Sequence, residues 1–189
     1  MAFLYNQISR KIILTLILLW GLFTIYFVNG LDILLYLLGV ISLFGLYYIL
    51  TESSAIFLLI LLSFTTSYAF FIFLFQLNLP VFLIMIGILI VFGYLFTYTE
   101  QKIGILGNKR LIYLVLFSLI TLEVFLVLSY FLINPISLSL IISITSYFFV
   151  GFCYTVLAKH TDNKIGTYIL ITLIAFLLVF LTSNWSGLV

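Results

Sequence analysis

Long apolar runs alternate with short polar breaks along the whole chain. Ile12 to Leu31 carries no charge, and neither does Ile33 to Thr51. Ser53 to Thr99 is long enough for two helices, with a break at Gln76-Leu77-Asn78-Leu79-Pro80. Leu111 to Ala158 also holds two, divided at Asn134-Pro135, with a single charge inside it, Glu123. Ile165 to about Ser183 is the last run. A helix that crosses hydrocarbon satisfies its own backbone and needs about 20 apolar residues to do so. The pattern therefore predicts seven transmembrane helices, at about 11–28, 33–51, 55–76, 79–99, 110–133, 136–158 and 165–183. A membrane barrel would need short strands that alternate between lipid and lumen. These runs are Leu-rich, long and without alternation, so length decides for helix. The expected fold is all-α: a polytopic integral membrane helical bundle, one domain over 1–189.

Composition agrees, and it narrows function. The chain is 66% hydrophobic and 6% charged, where a soluble domain carries about 25% charged residues. A soluble domain and a disordered chain are thereby excluded. A net charge of +2 is too small to capture nucleic acid. One cysteine, Cys153, and one histidine, His160, leave no internal disulfide, no Cys-based zinc cage and no bis-histidine haem. No cofactor or metal is expected, and the lipid bilayer is the first partner.

The positions of the charges set the orientation. Arg10 and Lys11 precede the first span, Lys102, Lys109 and Arg110 separate the fourth from the fifth, and Lys159 and Lys164 separate the sixth from the seventh. With seven spans all seven basic residues share one face, and the positive-inside rule makes that face cytoplasmic. The N-terminus is then cytoplasmic and the C-terminus extracytoplasmic. Most tyrosines, among them Tyr26, Tyr47, Tyr94 and Tyr130, lie near expected helix ends, where their rings favour the interface. The first apolar run is longer than a signal-peptide core of about 7–15 residues, so it reads as an uncleaved anchor. Asn29-Gly30 and Asn134-Pro135, with the basic pairs before spans one and five, give a faint echo of spans 1–3 in spans 5–7.

Glu123 is the residue most open to a chemical role. It lies in the fifth span, where an ionisable group at the helix centre costs about 2.5–3.5 kcal/mol and should face protein or water. Burial would favour its protonated form. Ser139, Ser143, Ser146 and Cys153 form a small, weakly polar stripe on the sixth span, with Tyr147 beside it. A tight hairpin at Asn134-Pro135 would put Glu123 and Ser146 at similar depth, about 16 Å. The expectation is an intramembrane polar site of Glu123, Ser143, Ser146 and Tyr147, either a proton or substrate site or structural glue. A secondary cluster, Ser63, Thr66 and Ser67 with Thr65, occupies the third span, and its hydroxyls can bond back to their own helix.

The remaining polar groups read as topology determinants. The loop from Thr99 to Arg110 lacks the Gly-Lys-Ser/Thr ending of a nucleotide loop, and its cations could meet phosphate or lipid headgroups. Lys159, His160, Asp162 and Lys164 read as a solvated turn, and Asp32 as a charge at a helix start. No lysine inside a span can hold retinal. No intramembrane histidine or acid pair can serve a protease, and no cysteine pair a disulfide enzyme. An enzyme is not expected.

The stretch Leu122-Glu123-Val124-Phe125-Leu126-Val127-Leu128-Ser129, then Asn134-Pro135, and Leu181-Thr182-Ser183-Asn184-Trp185 resembles uncharacterised multi-span membrane proteins of candidate-phylum bacteria. The resemblance covers the C-terminal third. It implies a bacterial inner-membrane protein of a family without assigned activity. Two functions are left: a non-catalytic component or subunit of an envelope complex, with other membrane proteins as partners, or a small carrier for a proton, ion or hydrophobic solute that uses Glu123.

Overall fold

A computed structural model of the chain describes residues 2–29, 33–51, 54–103, 110–131, 133–157 and 164–183. They form seven helices: α1 (Ala2–Asn29), α2 (Ile33–Thr51), α3 (Ala55–Phe75), α4 (Val81–Ile103), α5 (Arg110–Ser129), α6 (Pro135–Leu157) and α7 (Lys164–Thr182). There is no strand among the described residues. Five of the helices are long and apolar enough to cross a membrane: Ile8–Val28, Ala55–Phe75, Val81–Lys102, Arg110–Ser129 and Pro135–Thr155. Leu38–Thr51 in α2 and Gly166–Thr182 in α7 are apolar but shorter. The outside is apolar as well. Phe27 is 78% exposed, Leu111 73% and Leu181 70%, a surface that water-soluble proteins avoid and that lipid accepts.

The breaks form where the turn residues stand. Between α3 and α4, Asn78 adopts φ 49°, a left-handed conformation that asparagine tolerates better than most residues. Pro80 then opens α4, its carbonyl accepting from the amide of Leu83 at 3.0 Å. Before α6 the Asn134 side-chain oxygen accepts from the Ile136 amide at 2.9 Å. Asn134 thus caps the helix and Pro135 fills the first helical position, which needs no donor.

Three boundaries differ from expectation. α1 starts at Ala2 and α4 runs on to Ile103, because Arg10, Lys11 and Lys102 mark an interface without interrupting a helix. α5 ends at Ser129 rather than near 133. Its last amides, Tyr130 and Phe131, bond three residues back, to Val127 at 3.2 Å and Leu128 at 3.0 Å, a tightened last turn.

α3 is the hub. Of its span 72% is buried, against 33–44% for the other four. It packs chiefly on α6, α1 and α4; α7 packs on α6, and α5 bridges α4 and α6. Between helices in lipid there is no hydrophobic drive, so close van der Waals packing and small residues carry association. A Cβ on Gly21 of α1 would lie 2.7 Å from the Thr65 Cβ and 2.9 Å from its carbonyl carbon. This crossing therefore exists only because residue 21 is glycine. Elsewhere rings fill the space. Phe71 stacks on Phe125 at 4.4 Å, and Phe96, Phe117 and Phe149 lie 5.0–6.0 Å apart. Each such pair contributes about 0.5–1.5 kcal/mol beyond its buried area. α1 packs closely on α3, but α5 and α7 do not pack on one another among the described residues. The echo between spans 1–3 and 5–7 has no counterpart in this packing.

Candidate functional site

The two polar clusters expected from the sequence meet each other. Ser63, Thr65, Thr66 and Ser67 of α3 are buried, as are Ser139, Ser143, Ser146 and Cys153 of α6. The Ser67 hydroxyl lies 3.5 Å from the Ser139 carbonyl oxygen. Small side chains on both helices allow this approach, and α3 with α6 is the most extensive helix pair. Most of these hydroxyls are satisfied within their own helix. Thr66 donates to the Leu62 carbonyl at 2.6 Å, Ser67 to Ser63 at 2.5 Å and Ser143 to Ser139 at 2.9 Å. This is the back-bonding that lets a hydroxyl sit in an apolar interface. The Ser63 and Ser146 hydroxyls are buried with no hydrogen-bond partner among the described residues. A serine becomes a nucleophile beside a general base, and the only histidine, His160, lies outside the described residues.

Glu123 is not part of this cluster, and the expected contact with Ser143, Ser146 and Tyr147 does not form. α5 turns Phe117, Ser118, Thr121, Leu122, Phe125 and Leu128 into the bundle. One residue advances a helix by about 100°, so Glu123 stands about 200° from both Thr121 and Phe125, on the opposite face. It is exposed and has no hydrogen bond or ion pair among the described residues. Its face continues through Leu116 (43% exposed), Leu119 (45%), Val127 (57%) and Tyr130 (85%). Depth also differs from expectation. With α5 ending at Ser129, Glu123 lies about 9 Å from the C-terminal helix end, while Ser146 is about 16 Å into α6. Tyr147 instead turns towards α7, its ring 5.4 Å from that of Tyr168.

Sequence reasoning passed over a second charged group. Glu100, expected in a loop, lies in the last turns of α4 and is 8% exposed. Its Oε2 is 2.9 Å from Nε of Arg110, which is 40% exposed. The pair ties the end of α4 to the start of α5. The signal available was spacing: Tyr94, Thr97, Tyr98 and Gln101 recur at three, four and seven residues, a polar helical stripe that carries the helix past Thr99. Asp32, loop residues 104–109, and Lys159, His160 and Asp162 lie outside the described residues, as do Asn184 and Trp185. Among the described residues no three His, Cys, Asp or Glu side chains gather to hold a metal ion. Comparison with family models, curated proteins and solved structures finds no match to the chain.

Proposed function

We propose that the chain is a non-catalytic component of a larger membrane assembly, a seven-span inner-membrane protein that docks a partner's transmembrane helix on the outer face of α5. The observation that carries this reading is Glu123, an ionisable residue inside a membrane-spanning helix that faces away from its own bundle. Against lipid such a group is costly, somewhat less here than the about 2.5–3.5 kcal/mol of a helix centre. Its side chain leans towards the N-terminal end of α5, away from the nearer helix end, so it does not readily escape to the interface. A polar side chain on a partner helix relieves the cost, at about 0.6–2 kcal/mol per interhelical hydrogen bond. The carrier reading needs Glu123 inside the bundle, and its outward position lends that reading no support.

The orientation with the N-terminus cytoplasmic is supported by the grouping of cations. The Lys11 ammonium donates to the Leu50 carbonyl at 2.8 Å, the Tyr94 hydroxyl lies 3.4 Å from the Arg10 carbonyl, and Arg110 pairs with Glu100. The described basic ends of α1, α4 and α5 therefore share one end of the bundle with the end of α2, as the positive-inside rule requires of seven spans.

The test is purification of the tagged protein in mild detergent as wild type, Glu123→Gln and Glu123→Leu. Wild type and Glu123→Gln should retain the same membrane partner, since the amide keeps donor and acceptor. Glu123→Leu should retain about 3–30-fold less. A wild-type protein recovered alone, or a partner held equally by Glu123→Leu, overturns the proposal.

A further inference from the structure

A cavity of ≈ 170 Å³ opens between the basic ends of α1 and α4, lined by Ser9, Arg10, Ile13, Tyr94, Thr97, Tyr98 and Gln101. Its origin is in the packing. α1 and α4 both lie against α3 but make few contacts with each other, so a wedge remains between them, bridged where the Tyr94 hydroxyl meets the Arg10 carbonyl at 3.4 Å. Elsewhere on the lipid-facing surface a wedge of this kind is apolar, as in the groove of Val40, Leu43, Phe44, Tyr47 and Tyr48 on α2. Here six of the seven lining residues carry hydrogen-bonding side chains. The cation among them, Arg10, is half-buried, and no acid pairs with it among the described residues. The nearest described carboxylate in sequence, Glu100, is held by Arg110.

We infer that this cavity binds a phosphate group, with Arg10 as its counter-ion. A planar guanidinium presents paired donors that match phosphate oxygens, and the Ser9 and Thr97 hydroxyls and the Gln101 amide supply donors around the remaining ones. The cavity is roomy enough to take a tetrahedral phosphate. The position suits a lipid phosphodiester. The site is at the charged end of two membrane-spanning helices, and Ile13, one turn deeper on α1 and 39% exposed, is where an acyl chain would leave. Free phosphate shares the chemistry. This inference is independent of the role given to Glu123.

The test uses the full chain taken from vesicles of phosphatidylglycerol in phosphatidylcholine, with bound lipid counted by native mass spectrometry. Wild type should retain phosphatidylglycerol over phosphatidylcholine, because the choline cation of the latter competes with Arg10 for the same phosphate oxygens. Arg10→Gln should lower retention about tenfold or more, and Thr97→Val about threefold, as expected for a charge-assisted and a neutral hydrogen bond. Lys102→Gln, which removes a cation at the same end of the bundle but outside the cavity, should change it little. Should Arg10→Gln not fold, Thr97→Val and Tyr94→Phe carry the test. Displacement of the lipid by inorganic phosphate, with the same Arg10 dependence, assigns the site to free phosphate; lipid retained against inorganic phosphate assigns it to the headgroup. Equal loss in Arg10→Gln and Lys102→Gln, no loss in Thr97→Val, or equal retention of both lipids overturns the inference.

Discussion

Replacing Gly21 with alanine probes a helix crossing at which the added atom meets backbone. The added Cβ would lie 2.7 Å from the Thr65 Cβ and 2.9 Å from both the carbonyl carbon and oxygen of Thr65. Carbon atoms prefer about 3.5–4.0 Å, so α1 and α3 must separate by about 1 Å. Two of the three opposing atoms are backbone in the most buried helix of the molecule, and they cannot swing aside as a side chain would. A gap of 0.5–1 Å forfeits about a quarter to a half of each dispersion contact along the crossing, and overpacking generally costs about 1–3 kcal/mol. Alanine's better helix propensity returns up to about 1 kcal/mol. The expected net loss is about 1–2 kcal/mol, or roughly a five- to thirtyfold shift in the unfolding equilibrium. Reversible unfolding in mixed micelles titrated with a denaturing detergent reads this directly. Gly166→Ala is the reference, because a Cβ there meets nothing within 4 Å and should be neutral or mildly stabilising. If Gly21→Ala is as benign as Gly166→Ala, α1 does not cross α3 at Thr65 and the packing argument fails.

Further outcomes follow from the same reasoning. Thr66→Val should cost under about 1 kcal/mol in that assay, since the hydroxyl bonds only within its own helix. Ser63→Leu, at a fully buried position of α3, should cost about 1–3 kcal/mol by overpacking. Glu100→Gln should destabilise by up to about 1 kcal/mol, because it removes one charge of an ion pair whose Arg110 side is open to screening. A matching loss in Arg110→Gln, non-additive in the double variant, would mark the pair as the cause, and additive losses would dismiss it. For topology, cysteine placed at Asn78 should react with an impermeant thiol reagent from outside the cell. At Gln101 it should react only after permeabilisation, with buried Cys153 silent in both; the reverse pattern would overturn the orientation.

The sequence carried the helices well and their facing poorly, for one physical reason. Breaks are written in residues with local consequences. Asn78 takes the left-handed turn, Asn134 and Pro135 start α6, and the helix starts expected near 33, 55, 110 and 165 fall within one residue of those observed. Facing is written in the contrast between core and surroundings, and in lipid both are apolar. Leu119 and Leu122 have the same chemistry, yet one is 45% exposed and the other 7%. The expectation that Glu123 looks inward rested on the cost of exposing it to lipid, which says what it needs and not which helix supplies it. The small-residue faces were legible because size, unlike polarity, does distinguish a helix contact from a lipid contact. Ser63, Thr66 and Ser67 and the α6 serines were each found, and only their mutual pairing was missed. The reach of α4 past Thr99 is not legible in charge, because Glu100 and Lys102 lie within the helix and do not end it.

The central functional claim is that a partner helix lies against the Glu123 face of α5. It is tested most directly by a photocrosslinking side chain placed at Leu119 or Val127 in native membranes, with Phe152 on α6 and Leu173 on α7, both exposed, as controls. One discrete protein adduct is expected from the two α5 positions, weakened by Glu123→Leu, kept by Glu123→Gln and absent from the controls. Adducts equally abundant from Phe152 and Leu173, or no protein adduct from either α5 position, would contradict it.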